Sequence, residues 1–285
     1  MAERLADILS QIQNVRQLQA VITAMRGIAA SRSQQSRRLL QGIEAYARVI
    51  ARAIGQALSL LAPEQQTLPP LRSMRRGLIL FCAEQGFAGA FSERVLDAAG
   101  DVGGAIVLLV GTRGMVVAGE RGIEPRWSSA MATHAGTIPT FVNRLADSLY
   151  AIITKYALAR IEMLYCRAAP GSSIEVIRRS LLPIDVQAFP HSVRAQPPLT
   201  TLAPAILLER LAAEYVYAEL CEAAMQSFAA ENEARMIAMT SARTNIETRL
   251  AALRQQERQL RQDEITTEIV ELTGGAEVLS ACRSG

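Results

Sequence analysis

The spacing of apolar residues changes twice along the chain. From Ala2 to about Leu61, Leu5, Ile8, Ile12, Val15 and Ile22 recur at intervals of three, four and seven, beside a second row of Leu18, Val21, Met25 and Ile28. Such rows predict one long amphipathic helix whose stripe drifts, as a near-heptad pattern does at 3.6 residues per turn. The stretch holds no proline and only Gly27, Gly42 and Gly55, and Pro63, Pro69 and Pro70 are expected to end it. Between about 75 and 190 the pattern shortens. RGLILFCA and GGAIVLLVG are β-branched-rich runs bounded by glycines, suited to buried parallel strands, and RIEMLYCRA is a third candidate. Phe91–Ala99 and Ile138–Ala159 read as helices between them, and HSVRAQPPL reads as a connector. From Pro204 to about Leu279 a helical period returns, with Met239, Ile246, Leu253 and Leu260 seven residues apart. Met236 and Leu250 form a partner row, interrupted by Arg243, Glu257 and Glu264.

Strand, helix, strand, helix, strand implies a small open α/β sheet. The expected fold class is therefore α/β with long helices. N- and C-terminal helices (1–61 and 204–280) pair as an antiparallel coiled coil, and residues 75–190 form a small open Rossmann-like α/β domain. The alternative is a compact bundle with the helices folded over the sheet. RQQERQLRQDE, Arg254 to Glu264, argues against it, because eleven residues with one aliphatic side chain cannot bury two faces. The stretch ITAMRGIAASR adds a further expectation. Ala24, Gly27, Ala29, Ala30 and Ser31 crowd its middle, so a partner helix or a surrounding protein is expected to approach closely there.

Charge changes the picture modestly. Residues 1–76 carry eleven arginines against four acids and residues 205–285 eight against thirteen, so the two ends are expected to pair within the molecule rather than to hold nucleic acid. Lys155 is the only lysine. Cys82, Cys166, Cys221 and Cys282 are scattered, with no C-x-x-C, which points to reduced thiols and not to a disulfide frame or zinc site. MAERLADILS is charged within three residues and reads as neither signal peptide nor anchor, and no run approaches the ~18 apolar residues of a membrane span.

Candidate chemistry is sparse. AEQGFAGAF places Gly86 and Gly89 after the first strand, where a phosphate cradle would sit, yet it matches no nucleotide motif, and a turn needing permissive φ explains the glycines. His134 and His191 lack neighbours at metal-ligand spacing, and there is no nucleophile signature. No cofactor and no catalytic residue is expected. Glu231 and Arg235 in ENEARMIAM stand four apart, the order that favours a helical ion pair of ~0.3–0.5 kcal/mol. Gln262, Thr266 and Glu268 are read as one polar row beside an apolar tip, suited to transient contact with another protein.

With those residues in view, the chain resembles the gamma subunit of F-type ATP synthases. NVRQLQAVITAMRGIAASR is similar to the family's N-terminal helix, and ENEARMIAM and EITTEIVELTGGAEVL to its C-terminal helix. QGFAGAF and GTRGMVVAGERG resemble its α/β domain. The resemblance implies a central rotor shaft within a ring of alpha and beta subunits, standing on the c-ring beside the epsilon subunit. It would couple ion flow to ATP synthesis or hydrolysis on beta without being catalytic itself. It implies peripheral association through these partners with the cytoplasmic face of the bacterial inner membrane. It also implies that Met25, Arg26, Arg235, Gln262, Thr266 and Glu268 contact beta.

Ala20 and Thr23 stand where the family usually has lysine, Gly27 where a bulky residue is usual, and SACRSG extends past the usual end. These departures resemble the alternate F-type ATPases of some bacteria. Two other readings are a non-rotary coiled-coil scaffold with an α/β domain and a nucleotide-using α/β protein with helical arms.

Overall fold

The computed structural model describes residues 2–61, 75–169, 173–190 and 199–283. Along them run α1 (Ala2–Leu58), β1 (Arg76–Phe81), α2 (Phe91–Ala99), β2 (Ile106–Val110), α3 (Thr112–Glu120), β3 (Trp127–Ser129), α4 (Ile138–Tyr156), β4 (Arg160–Ala168), β5 (Ile174–Leu182) and α5 (Pro204–Arg283). The expected connector and the three prolines after Leu61 lie outside the described residues, apart from Leu199. The strands form one sheet in the order β3-β2-β1-β4-β5. The first four are mutually parallel, with Leu80 opposite Leu109 on one side and Leu164 on the other, and β5 runs antiparallel to β4. Both edges are blunted: β3 has three residues, and β5 carries Glu175, Arg178 and Arg179.

The chain packs as two compact units, Met1–Gly27 with Ala238–Gly285, and Ile28–Ile237. The expected division at 61, 75, 190 and 204 follows element ends; the packing follows contacts, and both long helices contribute to both units.

In the larger unit the strands alternate between two cores, as period-two geometry requires. Ile79, Phe81, Leu108, Val110, Met163 and Tyr165 face α4 (Phe141, Leu145, Leu149) and α5 (Val216, Leu220, Ala224, Phe228). Leu78, Leu80, Leu109, Leu164 and Cys166 face α2 (Phe91, Val95, Leu96) and α3 (Val117, Ala118), joined by Ala230 and Ala234 of α5. Each fully buried Leu, Ile or Phe contributes about 1.5–3 kcal/mol of transfer free energy. The sheet is thus covered on both faces, and α5 reaches both cores. Residues 28–58 of α1 run antiparallel to α5. Ser33 Oγ and Arg37 Nη2 donate to Glu233 Oε2 at 3.1 and 2.9 Å, Tyr46 donates to Glu214 at 2.6 Å, and Ile54 and Leu58 cluster with Leu208 and Leu211.

Four elements differ from expectation. The sequence reading had neither α3 nor β3 nor β5, and α4 ends at Tyr156, three residues early, with Ala157 in the left-handed region at φ 51°. The expected pairing of opposite charges is slight between the long helices. Among the described residues Arg37–Glu233 is the ion pair that joins α1 to α5, while Arg179 of β5 binds Glu219 and Glu222 of α5.

In the smaller unit, Ile12 and Ile22 of α1 are buried with Met239, Ile246, Leu250 and Leu253 of α5, flanked by Ile8, Val15 and Met25. Arg4, Asp7, Ile8 and Gln11 lie beside Gln256, Gln259, Leu260 and Asp263, so the helices run antiparallel. The first predicted row forms the seam. Of the second row, Met25 flanks the seam, whereas Leu18 and Val21 face outward here, as does Ile28 in the larger unit. In the small-residue stretch only Ala29 is buried among Ala24, Gly27, Ala29, Ala30 and Ser31. A Cβ on Gly27 would meet nothing within 4 Å. Gly27→Ala is therefore expected to raise stability by about 0.5–1 kcal/mol, the helix-propensity difference, in chemical denaturation. A lower midpoint would mean that the position is not open.

Candidate partner-contact surface

The expected contact residues divide between the two units. Met25 and Arg26 are half-buried on α1, and Met25 packs against the seam with Ile22 and Met239. Gln262, Thr266 and Glu268 are exposed on α5. Thr266 Oγ1 donates to the Gln262 carbonyl at 2.8 Å, which fixes these two residues one turn apart on one face. Glu268 does not join that row. It lies two residues past Thr266, about 160° around the helix, and about five full turns beyond the buried Leu250, on the seam side. Two residues that the polar-row reading passed over do share the face of Gln262 and Thr266. Ile265 and Ile269, one and two turns along, are 57% and 55% exposed. An amide, a hydroxyl and two exposed isoleucines form a mixed stripe of the kind that suits protein contact.

Arg235 belongs to the larger unit and is 5% exposed. All three nitrogens of its guanidinium are engaged inside the chain. Nη2 pairs with Glu231 Oε1, Nε donates to the Gly86 carbonyl at 3.2 Å, Nη1 to Asn232 Oδ1 at 3.1 Å, and Nη2 also to the Gln85 carbonyl at 3.4 Å. Glu231, 3% exposed, accepts the backbone amides of Glu84 and Gln85, each at 3.1 Å. Glu231 and Arg235 form the expected helical ion pair, and Arg235 is also an expected beta contact; in the structure the pair binds the loop that follows β1. A helical i,i+4 spacing shows that the two can meet, and it says nothing about which distant backbone they enclose. Glu84, unremarked in the sequence, turns its carboxylate the other way. It accepts from Thr112 N (3.0 Å), Thr112 Oγ1 (2.8 Å) and Met131 N (2.7 Å), satisfying an orphan amide at the start of α3. In the same loop Gly89 has φ 62°, the permissive backbone expected of it, and so does Phe87, which is exposed. Gly86 is not in that region and has open space around it.

Other chemistry is muted. Among the described residues no three His, Cys, Asp or Glu side chains converge as metal ligands. Burial pushes the Cys82 and Cys166 thiols up to about 12, so both stay protonated and poorly nucleophilic at neutral pH. His134 is exposed, and His191 lies outside the described residues.

The antiparallel helix pair and the small parallel-dominated sheet have counterparts among known proteins. An ATP synthase family model matches residues 4–279. The ATP synthase gamma chain of Nostoc punctiforme is 27% identical over 96% of this chain and 98% of its own length, and that of Thermobifida fusca 25% over 96% of each. Among solved structures, the rotor of the Euglena gracilis mitochondrial ATP synthase superposes with a TM-score of 0.67 at 11% identity, covering 93% of this chain and all of that one. The central stalk and c-ring structure from Tetrahymena thermophila gives 0.59 at 16% identity, over 78% and 99%. These structures share the fold. The family match spans nearly the whole sequence and takes in both long helices and the sheet between them, and by it the chain belongs to the ATP synthase family.

Proposed function

We propose that the chain is the gamma-type central stalk subunit of a rotary ATP synthase, turning within the ring of alpha and beta subunits and linking the beta sites to the membrane c-ring. The observation that carries this reading is the family match over residues 4–279, together with gamma-chain relatives covered over 96% and 98% of their length. The smaller unit suits the role: its two helices bury one narrow seam and leave their other faces available to surrounding subunits. The subunit is itself non-catalytic in this reading, because torque needs only shape and contact, and the ATP chemistry belongs to beta. No helix among the described residues is long and apolar enough to cross a membrane. Attachment to the cytoplasmic face of a bacterial inner membrane would therefore run through epsilon and the c-ring. Co-expression with alpha and beta chains tests the reading: a rotor subunit co-purifies with them in a three-to-three-to-one ratio, whereas a scaffold does not.

Within this reading Arg26, Gln262 and Thr266 meet beta at particular rotor angles, with Met25 and Glu268 at the margin of the seam. Arg235 acts indirectly, by holding the loop after β1. Gln262→Ala and Thr266→Ala each remove an exposed group that supports no core. Each is expected to lower ATP-driven rotation of the assembled complex ~3–10-fold, about 1 kcal/mol of lost contact, while the unfolding midpoint of the chain stays unchanged. Equal losses in rotation and in folding would assign these residues to the helix pair instead.

A further inference from the structure

In open parallel sheets, ligands bind beyond the carboxyl ends of the strands where the strand order reverses. Here that point lies between β1 and β4, since the chain proceeds from β1 to β2 and β3 on one side before returning to β4 on the other. The loop that leaves β1 supplies the backbone amides there, as a phosphate-binding turn does. The crevice is not open. α5 crosses it: Ser227 Oγ donates to the Phe81 carbonyl at the end of β1 at 3.3 Å. Before that crossing α5 lines one core of the sheet, and after it, through Ala230 and Ala234, the other. At the crossing, the two oxygens of Glu231 each take one amide of the loop, Oε2 from Glu84 and Oε1 from Gln85, and Arg235 closes over Oε1. Two amides and a guanidinium converging on two oxygens is the donor set of an oxyanion site, and the anion is a side chain of the protein.

We infer that Glu231 is an internal ligand: its carboxylate fills an oxyanion seat at the carboxyl edge of the sheet that otherwise takes a phosphate-class anion. The seat is occupied by α5, so the crevice used elsewhere to bind small molecules holds the chain's own helix. Neither part of this depends on the rotor reading, since the contacts lie wholly within the unit Ile28–Ile237.

Glu231→Ala in the full-length chain tests the assignment by emptying the seat and leaving Arg235 and the two amides in place. Thermal unfolding is followed in chloride, inorganic phosphate and acetate at matched ionic strength. The variant is expected to gain ~3–5 °C, saturably, at about 50 mM phosphate or acetate over chloride, and the wild type to gain no such increment. Glu231→Gln separates a filled seat from a general salt effect. Its amide occupies the space with one acceptor oxygen, so this variant is expected to unfold earlier than wild type and to show no anion response. If Glu231→Ala is insoluble in chloride, its recovery in phosphate or acetate buffer is the readout, and recovery is expected. The assignment is overturned by an alanine variant that responds no more than wild type, by one that no oxyanion recovers, or by equal responses in alanine and glutamine variants.

Discussion

Arg235→Ala is expected to destabilise the folded chain by about 3 kcal/mol, seen as a lower urea midpoint at unchanged slope. The magnitude follows from burial. Glu231 and Arg235 are 3% and 5% exposed, so solvent does not screen the pair, and removing the guanidinium strands a carboxylate in the interior. It also leaves the carbonyls of Gln85 and Gly86 without the donor that holds them. A surface pair at the same helical spacing would lose only a few tenths of a kcal/mol. The double replacement Glu231→Gln with Arg235→Met removes both charges and is expected to recover part of the loss. A double variant as unstable as the sum of the two single ones would show that the residues act separately.

Gly111→Ala is expected to be similarly severe, about 2–5 kcal/mol, and to act on the neighbouring backbone. Gly111 joins β2 to α3 at φ 110°, a conformation that L side chains rarely adopt. A Cβ there would lie 2.5 Å from the Cys82 carbonyl oxygen and 2.6 Å from that of Ala83. Neither carbonyl is the end of a flexible side chain, so β1 and β2 would have to part where they leave the sheet. Circular dichroism melting is the check, with Gly119→Ala as the control, because a Cβ on Gly119 meets nothing within 4 Å. Equal melting of the two variants would remove the steric argument.

Both cases turn on contacts that a linear pattern cannot carry. β1, β2 and β4 were readable because buried parallel strands are continuous apolar runs. β5 was not, because Arg178 and Arg179 interrupt its alternation, and Arg179 points to Glu219 and Glu222 on α5. α3 was hidden by its glycines, which look like breakers. Gly114 is in the helix because a Cβ there would lie 2.1 Å from Cys82 Cβ. The seam of the smaller unit was legible at Ile12, Ile22, Met239, Ile246 and Leu253, since heptad spacing states it directly. The outward Leu18 and Val21 were not separable from it, because they share their spacing with Met25, which flanks the seam. For the contact residues the i,i+4 relation of Gln262 and Thr266 was sound, and Glu268 was assigned to their face against the helical repeat. The burial of Arg235 had no local signal, because the loop it holds lies about 150 residues away.

The blunted edges of the sheet bear on the life of a copy that has not yet found its complex. An exposed flat strand is a template on which a second chain can add hydrogen bonds, and newly made subunits are at risk of doing so. Here one margin is three residues long and the other bears Glu175, Arg178 and Arg179. A solitary newly synthesised molecule therefore offers its siblings little on which to begin a fibre while it waits to be incorporated.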